Sequence, residues 1–63
     1  MNRLKQIRKQ KGLTQMELGQ AVGKYQAFIH NIERGYYVPT EEEKAIIALT
    51  LDVHIGNIFP EYK

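Results

Sequence analysis

Two short apolar patterns on either side of one glycine constrain this chain more than any other feature. Within Gln15–Arg34 (QMELGQAVGKYQAFIHNIER), Leu18 and Val22 precede Gly23, and Ile29 and Ile32 follow it, all at helical spacing. No apolar–polar alternation of the β type appears anywhere in the chain. Gly23 tolerates the backbone of a sharp turn, so the segment reads as a short helix, a tight turn and a second helix. That second helix has two faces. Ile29 and Ile32 lie on one, whereas Gln26, Ala27, His30, Asn31 and Arg34 lie away from them. Gly19 weakens the first of the two helices relative to alanine. Its compensation is close approach of the helix that follows.

The flanking residues supply three more helices. Asn2–Lys11 reads as the first, with Leu4 and Ile7 on one face and Gly12 as its stop. Leu13 turns inward. Thr14 and Glu17 form a capping-box pattern for helix two, which runs to about Val22. Helix three covers about Tyr25–Arg34 and ends at Gly35. After a loop over Tyr36–Pro39, Thr40 and Glu43 repeat the capping box, with Glu41 and Glu42 suited to the positive end of the helix dipole. Helix four runs to about Leu51, and Val53–Phe59 forms a last short helix closed by Pro60. The expectation is an all-α fold: one compact five-helix domain over residues 1–63.

A chain of 63 residues buries only about 60% of its unfolded surface, so a small core must suffice. It contains no cysteine, which excludes disulfides and thiolate metal sites and fits a reducing, cytoplasmic setting. The basic start, MNRLKQIRKQKG, has no apolar run behind it and is not a signal peptide; no run approaches a membrane span. His30 and His54 lack the additional spaced ligands a zinc site needs. No nucleophile–base pairing or glycine-rich phosphate loop is present, so the chain reads as a non-enzyme without cofactors. Charge is lopsided: residues 1–34 carry seven Lys/Arg against two Glu, and residues 35–63 carry two Lys against five acidic residues. The basic half contains the two-faced helix, which points to a polyanion on that side.

A bracing helix, a turn and a two-faced second helix make the layout of a helix-turn-helix, whose second helix enters the DNA major groove. From Leu4 to Phe59 the chain also resembles the lambda-repressor-like proteins of the Cro/repressor or XRE type. The resemblance is carried by RLKQIRKQKGLTQMEL, the turn around AVG, IHNIERG, and the tail pattern VPT…IIALTLDV…IF. It implies double-stranded DNA as partner, base reading by Gln26, Ala27, His30 and Asn31, and bracing of Gln26 by Gln15, which also contacts a phosphate. Gln26 and Asn31 have the chemistry to pair with adenine, and Ala27 offers a methyl to thymine. The resemblance further implies an ion pair between Arg8 and Glu33 that holds helix one onto helix three. Lys24, Tyr25, Arg34, Tyr36 and Tyr37 are the expected phosphate-side residues. Lysines 5, 9 and 11 are expected on a solvated face, with a long-range electrostatic role for one of them.

Several positions depart from the family pattern. Lys24 stands where an apolar residue is usual, and Tyr25 where Ser or Thr caps helix three. Gly19 replaces a customary alanine, a change conservative in size. Glu41 and Lys44 take normally apolar positions on helix four. Ile46, Leu49, Ile55, Ile58, Phe59 and Tyr62 outline an apolar patch expected to join two copies as a homodimer. The resulting expectation is a small repressor of phage or mobile-element type on a palindromic operator, with no small-molecule ligand. The alternative is a protein-binding module of the same fold, such as an antirepressor or an antitoxin acting on its toxin.

Overall fold

Capping chemistry sets where most of the helices begin. The computed structural model describes residues 2–61 and contains α1 (Leu4–Gln10), α2 (Gln15–Ala21), α3 (Gln26–Glu33), α4 (Glu41–Leu51) and α5 (Ile55–Ile58), with no strand among the described residues. Thr14 and Thr40 each accept from the backbone N–H three residues on, at 3.0 and 3.1 Å. Glu17 and Glu43 return the contact to the threonine N–H at 2.9 Å each. Both boxes fall where the sequence puts them. His54 caps α5 through Nδ1, which accepts from the Gly56 N–H at 3.0 Å. The first helix is shorter than its expected Asn2–Lys11 span. Asn2 stays outside it, ahead of the N-cap Arg3: its Oδ1 accepts from the Leu4 N–H at 3.0 Å, while its Nδ2 donates to the Ile32 carbonyl at 2.9 Å. That second bond ties the chain's start to the end of α3.

The core is built from Leu4, Ile7, Leu18, Ile29, Ile32, Ile47, Ala48, Leu51, Ile58 and Phe59. Each helix contributes to it, which is how five short helices, none stable alone in water, hold together. Ile58 and Phe59, expected on a dimerisation patch, are only 0% and 2% exposed. They are corrected to core residues: with so few large apolar side chains available, the domain's own interior takes them. Tyr62 lies outside the described residues. Ile46 and Leu49 do face outward, and Leu49 is 80% exposed.

α2 and the start of α3 approach closely, and Gly19 explains it. A Cβ at Gly19 would sit 2.9 Å from the Tyr25 carbonyl oxygen and 3.0 Å from its carbon. The contact is with backbone, so it cannot be relieved by a rotamer change. Alanine at this position is therefore not conservative in size in this chain, because the lead-in to α3 runs directly over the glycine. Gly23, at φ +76°, makes the turn between the two helices in a conformation that costs an L side chain.

Candidate nucleic-acid interface

The exposed side of α3 presents Gln26, Ala27, His30 and Arg34, with Asn31 half-buried at its edge; Ile29 and Ile32 on the opposite side are fully buried. The helix thus has one face packed inside and one open to solvent. Arg34 lies over the Tyr36 ring at 5.8 Å, and His30 meets the same ring edge-on at 6.4 Å. Tyr36 therefore sits at the C-terminal border of the exposed face. Lys5, from α1, lines a groove with Gln15, His30, Glu33 and Arg34. That lysine is exposed, in keeping with the solvated face expected for it. Only the tertiary fold brings it beside α3, so no local sequence signal marks it.

Beneath this face runs a continuous polar chain. Arg8 and Glu33 are both buried, with Arg8 Nε donating to Glu33 Oε2 at 2.6 Å and Nη2 to Oε1 at 3.3 Å. Nη1 donates to the Leu13 carbonyl at 2.7 Å, which fixes the α1–α2 connection to the same guanidinium. Gln15 Nε2 donates to Glu33 Oε1 at 3.0 Å. An ionised carboxylate only accepts, so this bond settles which way the Gln15 amide points. The Gln15 oxygen is turned toward Gln26, whose Nε2 donates to it at 3.3 Å. Gln26 keeps its own oxygen and a second N–H for another partner. A donor and an acceptor side by side match the N7 and N6 edge of adenine.

Lys24 and Tyr37 both face Glu43 in the free protein. The Tyr37 hydroxyl donates to Glu43 Oε1 at 2.6 Å, and its ring lies 5.8 Å from that of Phe28. Lys24 Nζ is 3.8 Å from Glu43 Oε2 and 5.3 Å from the centre of the Phe28 ring. Without DNA both turn toward the N-terminus of α4, because Glu43 offers an acceptor there. Tyr25 starts α3 without a side-chain cap, and its side chain is 87% exposed. The sequence marks Glu43 as a capping residue, but nothing in it reveals that one carboxylate also receives Tyr37 and Lys24.

The Tyr37 hydrogen bond and, to a smaller degree, the Thr40 contacts and Lys24 hold the Glu43 carboxyl below the usual range against partial desolvation. The same hydrogen bond raises the Tyr37 phenol. A raised phenol contributes stability below its unfolded value and loses it as pH rises through the folded value. A lowered carboxyl contributes above its unfolded value and loses it as pH falls through the folded one. The melting-temperature difference between the parent and Tyr37→Phe is thus expected to be flat from roughly pH 5 to 9 and to shrink on either side. A difference that grows above that range contradicts the assignment.

Among the described residues no cluster of three or more His, Cys, Asp or Glu could hold a metal, and no helix is long and apolar enough to cross a membrane. The helix-turn-helix family model matches residues 4–58. A comparison with curated proteins gives no match.

Proposed function

The chain belongs to the XRE-type, lambda-repressor-like helix-turn-helix family of DNA-binding regulators, and from that premise we propose that it is a homodimeric repressor reading a palindromic operator. In this reading each α3 enters the major groove, and the two half-sites lie about one helical turn, ~34 Å, apart. Gln26 and Asn31 read adenine, Ala27 meets a thymine methyl, and His30 donates to a base or phosphate. Gln15, Tyr25, Arg34 and Tyr36 hold the flanking backbone, and Lys5 adds positive charge on the α1 side. Ile46 and Leu49, exposed on α4, and half-buried Ile55 support the pairing of two copies. The protein acts in the cytoplasm, without a cofactor.

One observation carries this reading: Gln26, on the exposed face, is held by a hydrogen-bond chain that begins at a buried ion pair. A plain solvated helix face has no use for an amide oriented from the core. Gln26→Ala and Asn31→Ala are each expected to weaken binding to the cognate site by ~1–3 kcal/mol while leaving thermal unfolding unchanged. Selection of bound sites from random duplexes supplies that cognate site and also tests symmetry. Variants that bind cognate and scrambled duplexes as the parent does overturn the reading helix, and selected sites without two-fold symmetry overturn the dimer. A protein-binding module would show almost no salt-sensitive background affinity for mixed DNA.

A further inference from the structure

We propose that Lys24 is a cation with two positions, held on Glu43 in the free protein and transferred to a DNA phosphate in the complex, so that Glu43 sets the strength of sequence-independent binding. The inference rests on the DNA-reading role of α3. Its structural basis is the way Glu43 divides its two oxygens. Oε1 accepts from the Thr40 N–H at 2.9 Å and from the Tyr37 hydroxyl at 2.6 Å, so the carboxylate is anchored at the start of α4. Oε2 faces Lys24 Nζ at 3.8 Å, longer than a hydrogen bond.

The anion is therefore fixed and the cation loosely held. Roughly half of the Lys24 side chain is exposed, against about a fifth for Glu43. An exposed pair of this kind contributes little to stability, and the Phe28 ring 5.3 Å from the ammonium adds only a weak exposed cation–π contact, so little opposes its opening. Lys24 also sits in the turn immediately before Tyr25 and Gln26, the residues that lead the exposed face of α3. A phosphate beside the first turn of α3 offers a full negative charge in place of one already shared with Tyr37 and Thr40. Moving the ammonium there releases a condensed counterion, which makes the exchange favourable at low salt. Phosphate contacts carry no sequence information, so the exchange changes affinity for all duplexes alike.

The test measures duplex affinity against salt for the parent, Lys24→Met, Glu43→Gln and the double variant, on cognate and scrambled DNA. Methionine keeps a long side chain beside Phe28 without the charge, and glutamine can still accept from Thr40 and Tyr37. Lys24→Met is expected to lower the salt slope by about 0.9, so that the parent's gain in affinity between 200 and 50 mM salt falls by about three- to fourfold. Glu43→Gln is expected to raise affinity equally on both duplexes, with most of that gain gone in the Lys24→Met background. Should Glu43→Gln fold poorly, Lys24→Arg provides the second comparison, because it retains the charge and must retain the slope. An unchanged slope in Lys24→Met, or an equal gain from Glu43→Gln with and without Lys24, overturns the transfer while leaving DNA reading intact. A parent without salt-sensitive DNA binding overturns both.

Discussion

Ile29→Asp is expected to leave no folded population at 25 °C, as judged by the loss of helical circular dichroism and of any cooperative thermal transition. Ile29 is a core residue, 0% exposed. Truncating a buried isoleucine already costs ~2–5 kcal/mol, and an aspartate adds a carboxylate with no partner. A domain of this length has roughly 3–9 kcal/mol of stability to lose. The neighbouring substitution, His30→Asp, provides the contrast. His30 is exposed, so the fold should survive, and DNA affinity should fall because a negative charge now meets the phosphates. A folded Ile29→Asp protein would mean that the inward face of α3 is misassigned.

Glu33→Ala is the second large effect, and it separates two roles of one carboxylate. Removing Glu33 leaves the Arg8 guanidinium buried without its partner, a change that costs ~3–5 kcal/mol. Most of the protein should then be unfolded at 37 °C in a thermal melt. The double variant Arg8→Met/Glu33→Met removes both charges together, and apolar replacements of buried ion pairs are often neutral. It should recover the larger part of the melting temperature, less the bond from Arg8 to the Leu13 carbonyl. It should not recover sequence discrimination, because the Gln15 amide has lost the acceptor that orients it toward Gln26. A double variant that is stable and also discriminates as the parent does would show that the polar chain is structural only.

The periodic and local parts of this architecture are legible in the residues. Leu18, Val22, Ile29 and Ile32 announce two helices, and Gly23 the turn between them, because helical spacing and turn backbone are local properties. Both Thr–Glu capping boxes are readable for the same reason. Arg8 and Glu33 come from family resemblance rather than from spacing, and the 2.6 Å contact between them is a long-range property of the fold. Where local pattern and tertiary context compete, sequence reading goes astray. Ile58 and Phe59 look equally suited to a surface patch or an interior, and only the shortage of other large apolar groups decides for the interior. Asn2 resembles the first residue of a helix until its amide is seen bridging Leu4 and Ile32. Lys44 looks like a charge misplaced on an apolar face. It is buried with its ammonium 2.9 Å from Glu61 and 5.4 Å from the centre of the Phe59 ring.

The close seat of α3 over Gly19 and the prior orientation of Gln26 have a kinetic consequence. On the proposed reading role of α3, a surface whose helix and first amide are already set loses little conformational freedom on contact with DNA. Arrival then depends on charge and diffusion, which are nearly the same for every duplex, and mutants of one interface differ mainly in how fast they leave. Correct and incorrect operators should therefore be met equally often and told apart by dwell time. For a regulator built on this scaffold, occupancy of a promoter is a matter of how slowly the protein departs.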